Sequence, residues 1–145
     1  METSLSRIKG LFELPGADIR SYSPLTLAYI GDGVYELVIR TILVEKGNCQ
    51  PQKLHKRASA LVKAQAQSEM METLTPLLTQ EELSVYRRGR NAKSYTMAKN
   101  ATMGDYRRAT GFEALMGYLY LTEQEMRMLE LIKEGLKARG EEYGK

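Results

Sequence analysis

Residues 24–47 read PLTLAYIGDGVYELVIRTILVEKG. Ser23 followed by Pro24 marks a helix start, a capping hydroxyl and then a proline where the missing N–H is not needed. The run from Leu25 through Val44 is apolar on most sides and stops before Gly47, which predicts a central, buried helix. Inside it lies Gly31-Asp32-Gly33. Each interior glycine costs about 1 kcal/mol relative to alanine, and a carboxylate among apolar neighbours has to be paired or bound to something. Two accounts fit these three unfavourable choices. Either the glycines permit close helix packing while Asp32 pairs with an arginine, or Asp32 is kept for chemistry.

Working outward, helical punctuation recurs and no alternating strand stands out, so the chain is expected to be all-α. Pro51 opens a helix on which Leu54, Ala58, Leu61, Ala64, Ser68 and Met71 form one stripe, with Lys53, Lys56, Arg57 and Lys63 on the outer face. Thr79 with Glu82 makes a capping box for a helix ending near Gly89, and Thr122 with Glu125 makes another for a last helix running to about Gly140. From Tyr106 to Leu121 the periodicity puts Phe112, Leu115, Met116 and Leu119 on one face. Between Arg90 and Asp105 the sequence NAKSYTMAKNATMGD is polar and non-periodic, a loop or irregular helix of a length that commonly carries function.

Glu113, in TGFEALMGYLYL, is the second irregularity. It follows the core anchor Phe112, with the small Thr110 one turn before it and Gly117 one turn after it, which places its carboxylate at the rim of the core with open space beside it. A surface salt bridge would account for Glu113 alone. Together, Asp32 and Glu113 are two semi-buried carboxylates on separate helices, each near glycine, and that is what a hard divalent cation requires. Glu36 and Arg40 follow Asp32 at four-residue steps and read as a ladder that orients it. His55, beside Lys56 and Arg57, reads as a phosphate contact or a plain surface position.

Charge is concentrated in one place. Of the 145 residues, 21 are Lys or Arg and 18 Asp or Glu, a net charge of +3 that identifies no function. Between Tyr86 and Arg108, however, there are seven basic residues and one acid, a local net charge of +6, so the remaining 122 residues sum to −3. A basic segment beside paired carboxylates points to phosphodiester chemistry, with Mg²⁺ activating water and Arg and Lys binding flanking phosphates. With only Tyr86 and Tyr95 near it, the segment suits a duplex backbone better than unpaired bases.

A chain of this length can bury roughly 68–70% of its unfolded surface, so one domain spanning residues 1–145, with a core of about 24–136, needs no structural metal or disulfide. Lone Cys49 with His55 is too little for a zinc site. No signal sequence or run near the roughly 20 apolar residues of a membrane span occurs, and a cytoplasmic setting is expected.

LAYIGDGVYELVI and TGFEALMGYLYL, in that order, resemble the two signature motifs of the ribonuclease III family. RRGRNAKS, the LHKRASALVKAQAQ helix and the want of room for a double-stranded-RNA-binding domain narrow the likeness to the Mini-ribonuclease III group, the short bacterial form made of the catalytic domain alone. The resemblance covers roughly Pro24 to Leu136. It implies the ribonuclease III endonuclease-domain fold and a homodimer with two sites flanking a valley for double-stranded RNA. Each site would cut one strand by Mg²⁺-assisted hydrolysis, leaving a short 3′ overhang. Asp32 matches the family's catalytic, metal-binding aspartate and Glu113 its second metal-binding acid. The chain departs from the family at Leu25, Ala28 and Thr110, where full-length members carry acids, so more of the Mg²⁺ coordination must come from water and substrate. The implied substrate is the precursor of large-subunit (23S) ribosomal RNA. The RNA grip is expected from Arg87, Arg88, Arg90, Asn91, Lys93, Ser94 and Lys99, with Lys56 on the other basic face. A catalytically inactive double-stranded-RNA-binding protein of the same fold is the alternative, and a helical protein-interaction module leaves the +6 segment unexplained.

Overall fold

The helix that opens at Pro24 runs to Lys46, with the Ser23 hydroxyl accepting from the Thr26 N–H and Gly47 following the last turn. It is α2 of seven α-helices in a computed structural model that describes residues 3–47, 49–93 and 102–140. The others are α1 (Ser4–Leu11), α3 (Pro51–Val62), α4 (Ala64–Leu74), α5 (Gln80–Asn91), α6 (Met103–Leu121) and α7 (Glu125–Ala138). The described residues contain no strand, and the all-α expectation holds.

The central pair is α2 against α6, and two glycines decide how closely they approach. A Cβ on Gly31 would lie 1.8 Å from the Glu113 carbonyl oxygen, and one on Gly117 would lie 2.0 Å from the Leu27 carbonyl oxygen. The helices touch backbone to backbone, which brings the acids at positions 32 and 113 within reach of each other. Gly117 is therefore a packing residue facing α2. It does not uncover Glu113, as the sequence had led us to expect. Gly117→Ala is expected to destabilise the fold by about 3 kcal/mol or more, because backbone cannot yield as a side chain can. Urea unfolding checks this, and a loss below about 1 kcal/mol would mean that the contact is looser than described.

Around this pair the core closes. Tyr35 of α2 and Phe112 of α6 meet edge to face, with ring centroids 5.0 Å apart, and the buried Tyr35 hydroxyl donates to Leu61 O at 2.8 Å. Helices α4 and α5 pack on α6, while α3 packs on α2 and α4. The outer face of α2 departs from expectation. Leu27, Ala28, Tyr35, Ile39 and Leu43 are buried, but Leu25, Tyr29, Leu37 and Val44 are exposed, so the helix is central without being enclosed.

Three further differences have local causes. The stripe that began at Pro51 is split between α3 and α4, because Lys63 turns extended (φ −65°, ψ 156°). The Thr79–Glu82 box forms, and α5 continues past Gly89 to Asn91. The Thr122–Glu125 box does not form. The Thr122 hydroxyl donates back to Tyr118 O at 2.7 Å, and Glu125 instead accepts from the Ser4 N–H, tying down α1, a helix the sequence had not indicated.

Candidate active site

Asp32 sits in the third turn of α2 and Glu113 in the middle of α6, and the Gly31 contact sets the two carboxyl groups against each other. Asp32 is exposed and Glu113 half-buried, so only Glu113 is semi-buried in the sense expected of both. Among the described residues, what faces Asp32 is a second acid rather than an arginine. Burial first, and then the neighbouring Asp32 carboxyl, push Glu113 up to about 9. Glu113 is therefore held neutral near pH 7 unless positive charge is brought beside it. A carboxyl this strongly perturbed beside a second, exposed acid is a candidate for chemistry.

The surrounding residues refine the picture. Thr110, where full-length family members carry an acid, gives its hydroxyl to Tyr106 O at 2.9 Å, within its own helix. Glu36 pairs with Arg40 at 2.7 Å, as the spacing implied. Among the described residues no cluster of three or more His, Cys, Asp or Glu could hold a metal ion, so the two carboxylates are what α2 and α6 offer. They supply oxygen donors only, from rigid helices, and a hard divalent ion that keeps several waters is suited by that donor set. Sequence reasoning missed Gln67 of α4. This residue is 1% exposed, donates to Val62 O at 3.0 Å, and opposes the upward shift of Glu113. A long polar residue inside a stripe of Ala, Ser and Met was the signal available.

The basic segment reaches the site through α5. A Cβ on Gly89 would lie 2.7 Å from the Ala114 Cβ and 2.9 Å from Gly111, so the last turn of α5 rests on the residues flanking Glu113. Arg87, Arg88, Asn91 and Lys93 are exposed there and Arg90 is half-buried. The Arg90 guanidinium carbon stands 5.7 Å above the Tyr86 ring, and its Nε donates to Asn91 Oδ1 at 3.2 Å. Tyr86 itself is 4% exposed and serves as a platform for Arg90, with no face left for a base. Lys56 is exposed on α3, apart from this group, and His55 is exposed beside it. Ser94, Tyr95 and Lys99 lie outside the described residues.

Comparison with known proteins gives a consistent picture. Residues 25–124 match the profile of the Ribonuclease III domain. Mini-ribonuclease 3 of Enterococcus faecalis is 49% identical over 126 residues, spanning 86% of this chain and 96% of that protein. Mini-ribonuclease 3 of Clostridium tetani is 44% identical over 140 residues, 91% of this chain and 93% of its own. A crystal structure of a protein from Fusobacterium nucleatum superposes with a TM-score of 0.76 at 32% identity, covering 86% of this chain and 99% of that one.

Proposed function

Because the chain belongs to the ribonuclease III family and is an endoribonuclease, we propose that it cleaves double-stranded RNA with Mg²⁺ held between Asp32 and Glu113. The observation that carries this reading is the facing pair of acids, of which Glu113 cannot be ionised near neutrality unless positive charge is brought to it. Bound Mg²⁺ would supply a water activated at neutral pH and positive charge to stabilise the negative charge that develops on the leaving oxygen. The protein's share is positional. Asp32, open to solvent, meets the incoming scissile phosphate, and Glu113 fixes the other side of the site from the rim of the core. Arg87, Arg88, Arg90, Asn91 and Lys93 take the flanking phosphates, with Ser94 and Lys99 further along the same segment and Lys56 at a second contact.

Cleavage of a duplex RNA with Mg²⁺, its absence in chelator, and an intact single strand of the same sequence are the expected results. Binding without cutting would favour the inactive alternative. Arg90→Ala is expected to weaken duplex binding across sequences and to flatten the slope of log K against log salt by about 0.9. An unchanged slope would remove Arg90 from the footprint.

We infer a homodimer, in which two catalytic domains grip one duplex. Support comes from α2, whose outward face carries Leu25 (39% exposed), Tyr29 (82%), Leu37 (66%) and Val44 (57%) on the helix that bears Asp32. Beside it an apolar groove of about 410 Å³ lies between α2 and α7, lined by Leu37, Ile42, Leu129 and Ile132 among others. Covering such a surface with a second copy removes an aggregation liability and sets two sites on one duplex, where the second contact is intramolecular. Sedimentation at the monomer mass would end this reading. We place the substrate in the precursor of 23S ribosomal RNA, and the protein with it in the cytoplasm. No described helix is long and apolar enough to cross a membrane, and unprocessed precursor ends in cells lacking the chain are the expected result.

A further inference from the structure

Six basic residues and one acid, a net charge of +5, lie on the described stretches at the end of α5 (86–93) and the start of α6 (102–108). Four of the six are on α5 or just past it, and Arg107 and Arg108 stand on α6. The two groups meet. The Tyr86 ring that carries Arg90 packs on Gly111 of α6, where a Cβ would lie 2.7 Å from the ring, one turn after Arg107. Arg108 is held in a fixed place: its Nε donates to Ser68 Oγ of α4 at 2.6 Å and its Nη2 to Asp105 Oδ1 at 3.2 Å. Its guanidinium lies across Gly104, where a Cβ would stand 3.3 Å from Nη2 and 3.5 Å from Nη1. Nη1 donates to no group among the described residues, and the side chain keeps 43% of its surface exposed.

Arg127 shows how this chain uses an arginine purely as a tie. Its Nε and Nη2 each reach one oxygen of the buried Glu82 at 2.9 Å, and Nη2 also reaches Leu77 O, so a full opposite charge is closed upon it. At Arg108 the shorter bond goes to a neutral hydroxyl, and the acid touches Nη2 alone. Ser68 is 2% exposed on the core side of α4, beside Ala66, Met70 and Met71, where a hydroxyl has to be given a partner and alanine would not. That partner is the Arg108 Nε, and the bond fixes the guanidinium while leaving further N–H groups uncommitted. A planar fork already held in place loses little freedom when it binds a phosphate. We propose that Arg108, held by Ser68 and flanked by the exposed Arg107, is a further backbone contact for duplex RNA, carrying the basic surface at the end of α5 across α6 to the edge of α4. This rests on the reading of the chain as an enzyme that cleaves double-stranded RNA. The contact is to phosphate, so it adds grip on every sequence and selects none.

The test is the affinity for a fluorescent duplex RNA, read by anisotropy in chelator across a salt series, with thermal unfolding of each variant. Arg108→Gln is expected to bind about tenfold more weakly than wild type at about 50 mM salt and about threefold more weakly at about 200 mM, the narrowing that one lost phosphate contact gives through a slope change of about 0.9. Ser68→Ala keeps the charge and loses its placement, so about threefold weaker binding with the wild-type slope is expected. A tie between α4 and α6 and nothing more would lower the unfolding temperature of Arg108→Gln and leave the slope of the folded protein alone. Asp105→Asn combined with Arg108→Gln removes the pair without changing the net charge. It repeats the measurement should the single variant fail to fold, and a flattened slope is expected there too. A wild-type slope in the folded Arg108 variant, with Arg90→Ala flattened, would overturn the assignment to Arg108 and leave the duplex reading standing. A wild-type chain that binds the duplex no more tightly than a single strand of the same sequence would overturn both.

Discussion

Asp32→Asn is expected to lower the rate of duplex cleavage at least about 1,000-fold, equivalent to roughly 4 kcal/mol of transition-state stabilisation, while leaving duplex binding within about threefold of wild type. The separation follows from where the charges lie. The phosphate contacts we propose come from the end of α5 and the start of α6, whereas Asp32 is on α2. Replacing a carboxylate by an amide of the same shape keeps the backbone contact at Gly31 and removes one anionic oxygen ligand of two. Among the described residues no third His, Cys, Asp or Glu joins the pair to take its place. Binding shifts and cleavage on a gel decide the matter. A variant that cuts at the wild-type rate would show that the facing acids are not the reaction centre. Loss of binding with cutting would mean that Asp32 supports the RNA surface itself.

Much of this arrangement was written in the chain. The caps at Ser23 and Thr79 are local chemistry, satisfied within four residues, and each forms as the sequence indicates. Asp32 and Glu113 stood out because they break the pattern of their own helices, which neighbours in sequence are enough to reveal. What escaped depends on which helices meet. Gly117 announces a close approach but not the partner, and only the fold shows that Leu27 O occupies the space. The Thr122–Glu125 box has the right residues, yet the Thr122 hydroxyl finds Tyr118 O inside the preceding turn, so two local options competed and the sequence does not rank them. Lys63 breaks its helix without glycine or proline, and Gln67 reads as one of two similar glutamines in AQAQ. Gln65 is exposed and bonds Glu69, whereas Gln67 is buried, because two positions along α4 turn the side chain by about 200° to the opposite face.

The second large effect concerns stability, and its sign runs opposite to the usual cost of altering an active site. Glu113→Gln is expected to stabilise the metal-free protein at pH 8, by on the order of 2–4 kcal/mol. In the unfolded chain Glu113 ionises near the ordinary 4.5, while in the fold burial and the Asp32 carboxyl hold it near 9. Between these values the folded protein keeps a proton that the unfolded chain has released. Stability from this group is therefore fully present below about pH 4.5 and is lost as pH rises toward 9, at up to about 1.4 kcal/mol per pH unit. Glutamine has no proton to lose, so the variant's advantage should be small near pH 5 and should widen through pH 8. Denaturant midpoints in chelator across that range measure it directly. Divalent ion reverses the order, because a cation that binds only the folded wild type restores its stability by mass action, whereas the variant, short of one ligand, gains little. If wild type and variant keep a constant difference from pH 5 to pH 8, Glu113 is not held protonated in the folded chain. The stability cost would then lie elsewhere than in this pair of acids.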